Sequence, residues 1–331
     1  MELRTALPTA LSLGALLGVG IVCLSFAPGA AKEKQAVAVA AVRTIVEAPT
    51  RWDLPMQSNG SVERFVQLFR DKQPDRMALY LKRSGRYEGM IRQKLKARGM
   101  PEDLVYLSMI ESGFLPSARS RAGAVGLWQL MGEIARDYGL RVDRYVDERR
   151  DPEKSTDAAL RYLEDLHEHF GSWTLAAAAY NSGENRVARV MREETGSEKG
   201  DESAFWRIRY RLPADTREYV PLIQAAALVG KEPHKYGLGD VERWLPTATD
   251  TVQVPGGVEL GTVAHAAGVS ETTVQKLNPH LIRGMTPPGS SYAVRIPNGR
   301  GPVYLRNMAA SHANVRTSAA PARSPQPVSG D

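Results

Sequence analysis

The chain has 331 residues, enough for two packed domains at roughly 100–200 residues per domain. Its 43% hydrophobic, 24% charged and 7% aromatic residues are ordinary for globular proteins, which excludes a wholly disordered, collagenous or multi-span membrane protein. The formal net charge of +6 comes without the basic stripe and interleaved aromatics that nucleic-acid binding needs, so no nucleic-acid partner is expected. The single cysteine excludes an intramolecular disulfide and a cysteine-based metal site.

The N-terminal 31 residues have the pattern of an export signal. No charged residue occurs between Thr5 and Ala31, and Arg4 supplies a thin positive start. Small residues near Ala31 suit cleavage, while an uncleaved membrane anchor through residues 5–27 is the alternative. Cys23 follows the bulky Val22, which favours an apolar cysteine of the signal core over a lipoprotein site. The pattern predicts a protein of the periplasm or cell envelope.

A helical domain is predicted over residues 61–243, after a linker at residues 32–60. Apolar residues recur there at three- and four-residue spacing, and glycine or proline marks the breaks. The predicted helices are Val62–Arg70, Met77–Leu81, Tyr87–Ala97, Glu102–Ser112, Leu127–Tyr138, Ser155–Phe170, Trp173–Tyr180 and Asp215–Val229.

A smaller domain is predicted over residues 250–298. Two short β-branched runs flank two short helical segments, which gives a β-α-α-β unit. A unit of roughly 50 residues has little room for a buried catalytic cleft, so binding is its expected role. Residues 299–331 are rich in Ala, Ser, Pro and Arg, and their composition predicts a disordered tail.

Glu111 is the candidate catalytic residue. Pro101 suits the start of its helix and Gly113 its end, while Leu104, Leu107 and Glu111 follow one helical stripe. Burial on an apolar face disfavours a charged carboxylate, so we expect a raised pKa, as a general acid requires. On this helix alone, an ion pair with Arg119 or Arg121 is the alternative.

Two further segments carry polar side chains near packed elements. Gly126 and Gln129 flank Trp128 in the sequence. This segment suits a binding site in which Trp128 is the apolar wall and Gln129 the amide donor, or an ordinary core with a buried tryptophan. Tyr180 and Asn181 end a helix rich in alanine, where Asn181 is a candidate ligand or a helix C-cap.

Several motifs are absent from the sequence. It lacks a His-Glu-x-x-His pair, a Gly-x-Gly-x-x-Gly or Gly-Lys-Ser/Thr loop, and a Gly-x-Ser-x-Gly elbow. No metal and no cofactor is therefore expected.

Taken together, the motifs resemble the family 1 lytic transglycosylases with their Slt-type, goose-lysozyme-like domain. The matching pieces are Glu111-Ser112, Gly126-Leu-Trp-Gln129, Ala179-Tyr-Asn181 and Tyr219, in this order. Flanking segments such as Leu212-Pro-Ala-Asp-Thr-Arg-Glu-Tyr219 resemble the membrane-bound lytic murein transglycosylase D branch, and the C-terminal unit is similar to a LysM module. The expected fold is mainly α: a lysozyme-like helical catalytic domain plus a small β-α-α-β LysM-like domain.

The resemblance implies non-hydrolytic cleavage of the β-1,4 bond from N-acetylmuramic acid to N-acetylglucosamine, which leaves 1,6-anhydro ends. Glu111 would act as acid and then as base on peptidoglycan glycan strands, and Ser112, Gln129, Tyr180, Asn181 and Tyr219 would bind or orient the substrate. A hydrolytic lysozyme on the same fold is one alternative, with Asp147, Glu148 or Asp151 as the second carboxylate. A non-catalytic peptidoglycan-binding scaffold is the other.

Overall fold

A computed structural model describes residues 52–318 of the chain, with side chains described to residue 310. The predicted export signal, including the alternative anchor at residues 5–27, lies outside the described residues. Among the helices that are described, none is long and apolar enough to cross a membrane.

Nine α-helices build the helical region, residues 52–243. They are α1 Gly60–Gln67, α2 Pro74–Ala97, α3 Val105–Ser112, α4 Gly132–Asp137, α5 Pro152–Phe170, α6 Trp173–Ser182, α7 Glu184–Thr195, α8 Ala204–Ile208 and α9 Ala214–Lys231. A π-helical turn follows α1, and short 3-10 turns precede α3, α5 and α9.

Helix α6 lies at the centre of this region. Its residues from Thr174 to Ala179 are all buried, and it packs against α5, α7 and α9. The alanine run makes this close packing feasible, because small side chains let neighbouring backbones approach. Trp128 is a core residue, fully buried with its indole N–H donated to Thr156 Oγ1 at 2.9 Å.

The helices differ from the prediction in three ways. The two helices predicted within residues 77–97 are one helix, α2, where Gly85 allows the backbone of Trp244 to approach closely. The helix predicted over 127–138 exists only as α4, because bridges from Val125 to Arg119 and Leu130 fold the preceding residues back. Helices α7 and α8 were not predicted.

The C-terminal module, residues 249–318, has a core of its own. Strands β1 (Thr249–Val254) and β2 (Tyr292–Pro297) pair antiparallel with Val252 opposite Val294, beside helices α10 (Leu260–Ala267) and α11 (Glu271–Leu277). Their inward apolar side chains form a cluster separate from the helical core. The β-α-α-β order agrees with the prediction.

The prediction of a disordered tail from residue 299 is wrong for residues 301–318. They form helix α12, Gly301–Ser318, which packs on α10. Asp250 accepts the N–H of Gly301 at 2.8 Å, and Tyr304 is buried in the module core. One buried aromatic residue and a capped first turn favour the helix, although the composition is poor in bulky apolar residues.

Candidate active site

Glu111 lies in the last turn of α3, where the chain turns sharply. Gly113 and Phe114 both have left-handed backbones, with φ of 57° and 56°. Gly113 cannot be replaced freely, because a Cβ there would lie 2.0 Å from the ring of Tyr80. Phe114 is the more unusual residue, since a bulky side chain at positive φ is strained. The strained turn ends the helix directly beside the carboxylate.

The Glu111 side chain is partly buried. Burial raises its pKa to about 7, and a hydrogen bond from the Tyr219 hydroxyl to Oε1 opposes this rise. Desolvation therefore outweighs the donor. Within the described part of the chain, no arginine pairs with Glu111, so the predicted alternative of an Arg119 or Arg121 partner is wrong. The group can hold a proton near neutral pH.

Tyr180 and Tyr219 complete a cluster around this carboxylate. Tyr219 comes from α9 and donates to Glu111, while Tyr180 comes from the end of α6 and donates to the Trp128 carbonyl at 2.7 Å. Burial and then the nearby Glu111 charge raise the pKa of both phenols well above the usual range. Both therefore stay neutral hydrogen-bond donors.

Ser112 and Gln129 support the loop of residues 123–130, here called the site loop. The Ser112 hydroxyl donates to the Leu127 carbonyl at 2.8 Å. Gln129 has a left-handed backbone with φ of 49°, and its side-chain N–H donates to the Gly126 carbonyl at 3.0 Å. Neither side chain hydrogen-bonds Glu111 among the contacts of residues 52–318.

Asn181 is exposed beside the cluster. Its side-chain oxygen accepts the Thr216 hydroxyl at 2.9 Å, which joins α6 to α9. The alternative of a helix C-cap is wrong, because α6 continues to Ser182 and Gly183 is its cap.

The carboxylates considered for a hydrolytic mechanism are engaged elsewhere. Asp147 holds Arg149 with contacts of 2.8 and 2.9 Å, and Glu148 accepts the Arg141 backbone N–H at 2.8 Å and Lys154 Nζ at 2.5 Å. Asp151 caps α5 and pairs with a residue of the C-terminal module. All three are buried and have structural partners.

A cleft of about 730 Å³ near the cluster was missed by the sequence analysis. Tyr138 and Tyr162 line it. The ring centroids of Tyr138 and Tyr162 are 5.2 Å apart, and those of Tyr162 and Tyr180 are 5.3 Å apart, so the three rings form a row. Glu184, at the start of α7, also lines it. The aromatic row comes from α5, α6 and the end of α4, so no local pattern could have indicated it.

The chain matches two domain families. Residues 89–202 match the transglycosylase SLT domain, and residues 248–313 match the LysM-like domain of the lytic transglycosylase MltD. The chain thus carries an SLT domain followed by a LysM-like domain, and the resemblance stated from its motifs is confirmed. The second match extends through residue 313, beyond the predicted end at residue 298.

Among individual proteins, the chain is similar to membrane-bound lytic murein transglycosylase D of Escherichia coli strain K12. The two are 37% identical over 198 residues, which cover 58% of this chain and 42% of that relative. The chain therefore matches less than half the length of this relative. It is also 36% identical over 118 residues to the peptidoglycan transglycosylase gp16 of Escherichia phage T7, covering 35% of this chain and 9% of that protein.

A solved structure is similar over part of this chain. The lytic transglycosylase Slt of Pseudomonas aeruginosa has a TM-score of 0.36 and 25% identity, covering 44% of this chain and 24% of that one. The mainly helical fold with a small two-stranded sheet agrees with the predicted fold class.

Proposed function

We propose that this protein is a peptidoglycan lytic transglycosylase, which cleaves the β-1,4 bond from N-acetylmuramic acid to N-acetylglucosamine without water. The observation that carries the proposal is the Glu111 carboxyl group, partly buried beside two neutral phenols with its pKa raised to about 7. Such a group can give a proton to a leaving oxygen and take one back at the same pH. The SLT domain match and the named relatives point to the same reaction.

A single carboxylate suffices for this reaction. Glu111 protonates the glycosidic oxygen, and the N-acetyl group of the substrate stabilises the positive charge at the sugar carbon. Glu111 then accepts the proton of the sugar's own O6 hydroxyl, which closes the 1,6-anhydro ring. Ordinary glycosidases need a second carboxylate to act as nucleophile or activate water, and the three candidates for that role have structural partners.

The neighbouring side chains have separate roles in the proposal. Tyr219 holds the Glu111 carboxylate through its hydroxyl and stabilises the charged form after proton transfer. Tyr180 and Asn181 line the sugar site beside the bond. Ser112 and Gln129 act indirectly, by shaping the site loop. Tyr162 extends the aromatic surface along the cleft, where sugar rings can stack.

The remaining parts of the chain fit an envelope enzyme. The LysM-like domain would bind glycan strands, and the N-terminal segment would export the protein to the periplasm or hold it in the membrane. We propose the domain bounds as residues 61–243 for the catalytic domain and 248–313 for the LysM-like domain, in line with the second family match.

The proposal is tested with purified sacculi and the Glu111→Gln variant. The wild-type protein should solubilise the sacculi, and Glu111→Gln should lose this activity by about a thousandfold or more while it still sediments with them. Glu102→Gln, which changes a carboxylate at the start of the same helical segment, should keep the activity. Full activity in Glu111→Gln would overturn the proposal, and an inactive wild-type protein would favour the scaffold.

A further inference from the structure

The C-terminal module contacts the helical region at the segment of residues 141–151. This docking segment, residues 141–151, lies between α4 and α5. Val146 pairs with Leu281 as an antiparallel bridge, the Asp147 N–H donates to the His280 carbonyl at 2.9 Å, and the Ile282 N–H donates to the Tyr145 carbonyl at 3.0 Å. Val146 is fully buried, and it belongs to the apolar core of the module.

An ion pair between a buried carboxylate and a partly buried arginine reinforces the contact. Arg295, on β2 of the module, holds Asp151 at 2.7 and 3.1 Å. Asp151 is only 1% exposed and also accepts the backbone N–H groups of Glu153 and Lys154, so it begins α5. A module tethered only by a linker would not share a core valine and an ion pair to a buried carboxylate with its neighbour.

The same docking segment holds the site loop through hydrogen bonds. Asp147 orients Arg149, and Arg149 Nη1 donates to the carbonyls of Gly123 at 3.0 Å and Leu130 at 3.1 Å. These residues are the two ends of the loop. The middle of the loop packs against the same segment. The Gly126 backbone lies so close to Arg149 that a Cβ on Gly126 would be 1.8 Å from the Arg149 carbonyl oxygen.

The site loop in turn contacts the groups around Glu111. The Leu127 carbonyl accepts the hydroxyls of Ser108 and Ser112, the residues three before and one after Glu111. The Trp128 carbonyl accepts Tyr180. A shift of this loop would therefore move both the end of α3 and the Tyr180 phenol.

We infer that the C-terminal module holds the site loop in place through the docking segment, and that Asp147 and Arg149 are positioning residues for the reaction. This inference rests on the proposed function, and it gives the module a role in catalysis besides glycan binding. Arg295 and His280 contact Asp151 and Asp147 of the docking segment, and Arg149 of the same segment holds the site loop. The short backbone of residues 147–151 joins these contacts, and coupling through it is measurable.

The test uses Arg295→Gln and short soluble glycan strands of two or three disaccharides. Positioning predicts that kcat falls about tenfold with KM nearly unchanged, because misplacement of catalytic groups lowers the rate of chemistry rather than affinity. Sedimentation with sacculi should stay at the wild-type level. The matched control is Arg306→Gln, an exposed arginine on α12 of the same module, which should keep the wild-type kcat.

A double variant decides whether the effect passes through Arg149. Arg149→Met should lower kcat by itself, Arg149→Lys should restore part of it, and Arg295→Gln should then add nothing to Arg149→Met. An unchanged kcat in Arg295→Gln, or additive losses, would overturn the inference. Val146→Ala weakens the same contact without leaving a buried charge, and it replaces Arg295→Gln if that variant does not fold. An inactive wild-type protein would count against the proposed function instead.

Discussion

At the scale of single residues, the chemistry depends on where Glu111 lies. Its carboxyl group is near the end of α3, where desolvation by burial raises its pKa to about 7. Such a position stabilises the protonated acid but costs folding free energy once the group is ionised. The proposed role of Glu111 as an acid and the stability of the fold therefore oppose each other at this residue.

Glu111→Gln should stabilise the protein in a pH-dependent way. The folded pKa of about 7 lies above the usual 4.5, so the folded protein binds the extra proton between these values and loses stability as pH rises through them. The variant avoids this loss. We expect a gain of up to about 3 kcal/mol at pH 8 and little change at pH 4. Urea denaturation at both pH values measures it, and an equal gain at both would contradict the assignment.

Tyr219→Phe should move the pH dependence of catalysis. Its hydroxyl donates to Glu111 and lowers the pKa of the carboxyl group, so its removal should raise that pKa by about one unit. The upper limb of the pH profile of kcat/KM should shift upward accordingly, with a loss of about tenfold at the optimum. Tyr210→Phe, on a largely exposed ring, is the control. An unshifted limb in Tyr219→Phe would exclude this contact as a determinant of acidity.

At the scale of elements, the site loop depends on glycine for two different reasons. Gly123 and Gly126 have nearly equal φ values of 90° and 89°, but only Gly126 meets a neighbour, the Arg149 carbonyl. A Cβ at Gly123 would enter open space. The pair therefore separates backbone strain from steric contact.

Gly126→Ala should be far more harmful than Gly123→Ala. We expect Gly123→Ala to cost about 1–2 kcal/mol, from positive φ alone. Gly126→Ala should cost about 3 kcal/mol or more, because the docking segment must also move. The free energies of unfolding of the two variants make the comparison. Equal losses would show that the contact with Arg149 is not tight.

The sequence predicts a helix well where the residues that start and end it lie next to it in the chain. Proline and glycine bound α3 and α5 in the chain itself, so these helices were predicted within a few residues. The Leu127–Met131 run has a helical apolar pattern too, yet it folds back because Arg149 and Ser112 hold its carbonyls. Such contacts come from distant parts of the chain and leave no periodic signal.

The site shows the same division. The apolar stripe of one helix marks Glu111 as a candidate, and the resemblance of the motif set gives it the expected role of the acid. Tyr138 and Tyr162 could not be predicted, since their rings meet only after separate elements pack. The docking of Asp151 on Arg295 spans 144 residues, and the sequence indicates only that Asp151 precedes a helix-starting proline.

At the scale of the whole molecule, the C-terminal helix belongs to the module. Tyr304 is 3% exposed on α12, whereas the adjacent Leu305 is 65% exposed. We expect Tyr304→Ala to destabilise the protein by about 3 kcal/mol and Leu305→Ala by less than about 0.5 kcal/mol. Urea denaturation followed by circular dichroism gives both values. Equal, small effects would mean that residues 301–310 do not pack on the module in solution.

The reaction products test the central claim most directly. Mass spectrometry of fragments released from sacculi should give muropeptides lighter by one water than hydrolytic products, with anhydro ends that are absent when Glu111→Gln is used. Products with free reducing ends would contradict the account. They would mean that water attacks the sugar, and that a second group of this cleft activates it.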